Sequence, residues 1–152
     1  MYSATIDIAA TPAHVFSVLT SSDLTLWKQW QPEAIEVQHP DGGLRVGAAF
    51  RVLVKEFGRR FHVQFVVVAL DPDARLVYDM SSPLMRGRIE WFLTPRPRST
   101  NVSWLVVPAP PKNMPLPIAR IMGALMRPLL TRKLRRRLEA LRRAVEADGR
   151  QP

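Results

Sequence analysis

"TRKLRRRLEALRRAVE" (residues 131–146) carries seven basic side chains, two acidic ones and four evenly spaced large apolar ones, Leu134, Leu138, Leu141 and Val145. At about 100° per residue the four apolar residues fall in one stripe. Arg132, Arg135, Arg136, Arg142 and Arg143 spread over the opposite side. The stretch therefore reads as an amphipathic helix that covers an apolar surface and shows a cationic back. That back has three readings: a solvated face whose arginine stems shield neighbouring apolar area, a transient contact with an anionic membrane, or a grip on nucleic acid. The last is disfavoured, because no aromatic side chains interleave the arginines and no reading element accompanies them.

Working back along the chain, the helix is expected to run from near Leu116 to near Ala147. Its first half is patterned differently. Ile118, Met122, Leu125, Met126 and Leu129 share one face, rotated by roughly 150° from the face of Leu130, Leu134, Leu138, Leu141 and Val145. Pro128 sits at the changeover, where a proline removes a hydrogen bond. The spacing predicts a break or bend there, with each half burying its own face. Before it, "PAPPKNMPLP" (108–117) reads as a stiff bridge from the last strand to the helix. Docking of its PxxP-like spacing in an SH3-type groove is the alternative.

From Ala34 to Val107 the chain alternates between strand-like runs and turns. Turn signals at 40–43, 56–60, 71–75, 81–87 and 94–100 separate "AIEVQ", "AAFRVLVK", "FHVQFVVVAL", "LVYDM", "RIEWFL" and "NVSWLVV". Connections this short join antiparallel neighbours, since a parallel crossover needs a dozen or more residues. Alternation sorts the side chains. One face takes Phe50, Val52, Val54, Phe61, Val63, Phe65, Leu76, Tyr78, Met80, Gly87, Ile89, Trp91, Leu93, Val102, Trp104 and Val106. The other takes Arg51, Lys55, His62, Gln64, Asp79, Arg88 and Glu90, as a sheet wet on one side requires. Asp79 and Glu90, with Arg88, read as a solvated or salt-bridging surface group. Ahead of these runs, "YSATIDIA" alternates as a first strand. "TPAHVFSVL" opens a short helix with Thr11 as N-cap and Pro12 at its first position. "LTLWKQW" (24–30) forms a second short helix or turn, stopped before Pro32.

With 152 residues, 47% of them apolar, the chain is expected to fold as one domain over residues 1–147 with a short tail over 148–152. No run approaches the ~20 apolar residues of a membrane span, and "MYSATIDIAA" has no signal-peptide pattern; a cytoplasmic location is the expectation. The net charge of +9 is uneven: residues 131–152 hold eight basic and three acidic groups. There is no cysteine. His14, His39 and His62 lack metal-ligand spacing, and no nucleotide-binding glycine motif or GxSxG occurs. No metal or cofactor is expected.

The order of one strand, two short helices, about six antiparallel strands, a proline-rich linker and a long C-terminal helix resembles the START-related helix-grip superfamily. Its members include polyketide cyclases and aromatases, lipid-transfer proteins and the birch pollen allergen. The stretches that carry the likeness are "IDIAATPAHVFSVLTS", "LWKQWQP", "GLRVGAAFRV", "VVALDPDARLVYDM", "GRIEWFLTP" and "LRRRLEALRRAVE". The resemblance implies an α+β fold with a curved antiparallel sheet of about seven strands around the C-terminal helix, and a cavity between them.

Alternation alone does not separate a filled core from a hollow one; the resemblance favours hollow. The candidate ligand-binding residues are then Phe65, Tyr78, Met80, Trp91 and Trp104 from the sheet and Met122 and Met126 from the helix, with Trp27 and Trp30 closing one end. The expected ligand is an apolar or partly aromatic small molecule or a lipid. A cyclase or aromatase using the same cavity is the second reading. There Tyr78, the one obvious titratable group on the inward face, would orient an enol or carbonyl, and Arg51 or Arg88 would reach a carboxylate or phosphate at the mouth. A basic interaction module with a filled core is the third.

Overall fold

A computed structural model describes residues 1–40, 42–56, 58–83, 85–109 and 114–148. Seven strands, β1 (Tyr2–Ile8), β2 (Ala34–Gln38), β3 (Ala49–Glu56), β4 (Arg59–Asp71), β5 (Arg75–Ser81), β6 (Arg86–Pro95) and β7 (Thr100–Pro108), form one sheet in the order β1-β7-β6-β5-β4-β3-β2. Every neighbouring pair is antiparallel. Helices α1 (Pro12–Leu19) and α2 (Leu24–Trp30) follow β1, and α3 (Leu116–Asp148) ends the described chain. This is the curved sheet, long C-terminal helix and pair of short helices of the helix-grip fold.

Local chemistry sets the element boundaries. The Thr11 side chain accepts from the His14 N–H at 3.2 Å, and Pro12 opens α1. Asp23 caps α2 by accepting from the Thr25 N–H at 2.9 Å, and the helix stops at Gln31 before Pro32. Asp73 turns the β4–β5 corner at φ 61°, a left-handed conformation that Asp tolerates. Gly87 permits close pairing of β6 with β7: a Cβ there would sit 2.6 Å from the Val107 carbonyl oxygen. The turns at 40–43, 56–60 and 81–87 each include one residue outside the described set, as does much of the linker at 110–113.

Side chains alternate as the sequence requires. Phe50, Val52, Val54, Val63, Phe65, Leu76, Tyr78, Ile89, Trp91, Val102, Trp104 and Val106 are buried on the concave face. The other face carries the Arg88–Asp79 ion pair at 2.9 Å and the Asn101–Asp7 hydrogen bond at 2.9 Å. A bulge between Val67 and Ala69 shifts the β4 register. Val68 points outward as a result, and Leu70 still reaches the core.

In α3, Leu134, Leu138, Leu141, Ala144 and Val145 are buried against the sheet and the short helices. The break expected at Pro128 does not occur, for the helix continues through it from Leu116 to Asp148. The hydrogen bond proline cannot donate would go to the carbonyl of Ala124, an exposed residue whose carbonyl water can serve. An unbroken helix keeps its phase, so the rotated apolar face of the first half cannot turn to the sheet. Ile118, Met122, Leu125, Met126 and Leu129 are all exposed, and the expected burial of that half is corrected. At the other end Asp148 closes α3, its carboxylate 3.2 Å from His14 Nε2. The remainder of the expected tail, 149–152, lies outside the described residues.

Candidate functional site

Between the concave face and the start of the buried half of α3 lies a cavity of about 170 Å³. Val52 and Val54 of β3, Val63 and Phe65 of β4, Tyr78 and Met80 of β5, Ile89 of β6 and Trp104 and Val106 of β7 form its wall. Tyr2 of β1, Trp27 of α2, Ala34 of β2, Met85 and, from α3, Leu130 and Leu134 complete its apolar part. Ligand pockets commonly reach ~300–1,000 Å³, whereas about 150 Å³ suffices for a single benzene ring. The space therefore suits one ring or a short branched chain.

Rings are packed tightly around it. Phe50 and Phe65 stack with centroids 4.8 Å apart, and Tyr78 meets Phe65 edge-on at 5.0 Å. Trp91 stacks on Trp104 at 4.5 Å, and Trp30 abuts both, at 5.8 and 6.5 Å. His39 stacks on Phe50 at 5.3 Å, and its burial lowers the imidazole pKa.

Tyr2, Tyr78 and Trp104 bring side chains with a polar atom to this apolar wall. Trp91 Nε1 donates to the Tyr78 hydroxyl at 2.9 Å, leaving the phenol's own proton to be donated. Burial pushes the Tyr78 pKa up to about 12, against a smaller opposing effect of the Trp91 bond. The phenol thus stays protonated at neutral pH. Trp104 Nε1 is buried and has no partner among the described residues. A buried N–H without an acceptor is costly, and this one belongs to a cavity-lining side chain.

The cavity rim is ionic. Arg137 of α3 pairs with Glu33 and donates to the Gln31 side chain. Its second amino group is 3.6 Å from Glu56, which also accepts from Lys133 at 2.8 Å. Arg137 and Glu33 are nearly buried, with side chains 13% and 14% exposed. Two cations and two carboxylates balance, and the cluster ties α3 to the α2–β2 connection and to the end of β3.

Of the nine side chains expected at the site, Trp27, Phe65, Tyr78, Met80 and Trp104 line the cavity together. Trp30 and Trp91 point the same way but lie behind the wall, each 1% exposed and filling one end of the interior. Met122 and Met126 are corrected: they are 47% and 44% exposed on the outer side of α3, because the unbroken helix carries them away from the sheet. Arg51 and Arg88 are corrected too. They lie on the opposite face of the sheet, bonded to Gln38 and Asp79, and do not reach the mouth.

The sequence reading missed the rim. Alternation in β3 places Glu56 on the same side as Phe50, Val52 and Val54, one step beyond where the run was read. Lys133 and Arg137, four residues apart, flank the Leu134–Leu138 stripe on one edge.

The sequence matches, over residues 2–146, the family model described as polyketide cyclase / dehydrase and lipid transport. The chain belongs to this family. No curated protein matches it. Solved structures of similar fold include a START superfamily protein from Mycobacterium smegmatis (18% identity, 95% of this chain and 96% of that one, TM-score 0.67). Ara h 8.0201 is comparable (15% identity, 96% and 97% covered, TM-score 0.70). DynU16, from the dynemicin biosynthetic locus, is 18% identical with a TM-score of 0.66; the match covers 95% of this chain and 46% of that one. Identities this low speak for the fold alone. Members of the polyketide cyclase / dehydrase and lipid transport family share the architecture described here, and the residues around its cavity carry what is particular to this chain.

Proposed function

We propose that this protein binds a small, mainly apolar molecule that carries one hydrogen-bond acceptor, in the cavity between sheet and α3. The carrying observation is the ring-lined cavity itself, whose wall includes Trp104, with a buried N–H that has no partner among the described residues, and Tyr78, whose hydroxyl proton is left to donate. Burial of the ring supplies affinity, at about 25 cal/mol per Å² of apolar surface. The two donors select a carbonyl or ether over a plain hydrocarbon, because an acceptor relieves the cost of leaving Trp104 unpaired. A longer ligand would extend past Leu130 and Lys133 at the rim.

Native mass spectrometry of freshly purified protein tests for a bound molecule, and titration followed by tryptophan fluorescence tests the chemistry. A ring-sized aromatic ketone is expected to bind more tightly than the hydrocarbon of the same shape. Trp104→Phe should weaken the ketone about three- to tenfold and leave the hydrocarbon unchanged. No uptake of either probe, or equal loss of both, overturns the reading.

A second reading, a cyclase- or dehydrase-like enzyme, is favoured by one observation: a phenol kept protonated by burial in the wall of the cavity. With its pKa near 12, Tyr78 suits polarising a carbonyl as a neutral donor and not accepting a proton at neutral pH. Tyr78→Phe that abolishes turnover of a bound substrate while its affinity persists would favour the enzyme.

A further inference from the structure

The first half of α3 leaves a large apolar surface uncovered. Leu116, Ile118, Ile121, Met122, Leu125, Met126 and Leu129 are between 44% and 70% exposed, and seven large aliphatic side chains in fourteen residues far exceed scattered surface apolars. No acidic residue occurs between Met114 and Leu138. Over the same stretch Arg120, Arg127, Arg132, Arg135 and Arg136 are exposed. None of the five forms a salt bridge among the described residues. At about 100° per residue, Arg132 and Arg136 continue, one and two turns on, the side of the helix that Ile118, Leu125 and Leu129 occupy.

We propose that residues 116–136 of α3 form a docking face for an anionic lipid surface, with the aliphatic side chains entering the headgroup boundary and the arginines meeting lipid phosphates. A basic helix with an apolar face and no acids is the pattern that lies in such an interface. No helix among the described residues is long and apolar enough to cross a membrane, so the face lies on the bilayer. A second copy of the chain is the poorer occupant, since pairing would bring two acid-free arginine rows together. Leu130 and Leu134, which line the cavity, lie on the side of the same helix turned away from this face. The proposal does not depend on the ligand reading and is tested without it.

The test is co-sedimentation of the full chain with vesicles of phosphatidylcholine, with and without phosphatidylserine. Binding is expected to the mixed vesicles, to weaken with salt, and to be far poorer with phosphatidylcholine alone. Leu125→Glu with Leu129→Glu, at positions 70% and 61% exposed, should keep the fold and lower binding by on the order of tenfold or more. Arg132→Gln with Arg136→Gln should lower it about 25-fold, at about fivefold per cation. Uptake of a soluble ring-sized ketone without vesicles should be unchanged in both variants, so loss of docking and loss of ligand binding are told apart. Absence of binding to the mixed vesicles, or binding that ignores the Leu125/Leu129 change, overturns the proposal. So does a concentration-dependent dimer abolished by that change, which would assign the face to a second copy.

Discussion

The two halves of α3 are built from the same residue types and meet opposite fates. From Leu134 to Val145 the apolar side chains are buried, Leu141 and Val145 completely. From Leu116 to Leu129 similar side chains stand in solvent. Composition does not separate them. Phase does: a helix that runs unbroken through Pro128 can present one azimuth to the sheet, and only the second half places its leucines there. An apolar stripe therefore reports a wish for cover, and continuity of the backbone decides whether the sheet supplies it.

The largest effect expected from this contrast is in stability. Leu141→Ala empties a fully buried site and should cost about 2–5 kcal/mol. Leu125→Ala, 70% exposed, should change stability by no more than about 0.5 kcal/mol. Denaturant midpoints at constant slope measure both. Similar losses at the two positions would mean that the first half is covered after all.

Pro128 gives the next test, because continuity carries the argument. In an unbroken, exposed helical segment, Pro128→Ala restores a hydrogen bond and relieves a clash, and should raise stability by about 1–3 kcal/mol. Helical circular dichroism should rise only slightly. A loss of stability would mean that the proline serves a bend, with the faces of the two halves buried separately.

Much of the fold is legible in the sequence because strands declare their two faces by alternation and turns by their Pro, Gly and Asp residues. β2 and α2 coincide with the runs read for them, and Phe65, Tyr78, Met80 and Trp104 reach the cavity as their parity requires. Direction is local; depth is not. Trp91 shares the parity of Tyr78, yet Trp30 of α2 packs against it and removes it from the wall. Only the tertiary arrangement of α2 determines that. The rim is harder still to read, since Arg137 becomes a site residue through Glu33 and Glu56, which lie 104 and 81 residues earlier in the chain and meet it only in space. Met122 and Met126 mislead for the opposite reason: proline's usual local effect is overridden by an exposed helix that water can complete.

The smallest effect expected lies across the cavity from α3 and follows pH. Moderate acid acts on His39, packed between Phe50 and Trp27. Burial lowers its pKa from the ordinary 6.5, so the unfolded chain takes up the proton first as pH falls. Between 6.5 and the lower folded value the unfolded state binds more protons, and stability should decline on acidification through that window. His39 is only part-buried, which keeps the effect small. His39→Gln should flatten the slope of denaturation midpoint against pH below 6.5. The Leu125→Ala variant, altered far from the ring cluster, should keep it; an unchanged slope in His39→Gln would assign the acid sensitivity to other groups.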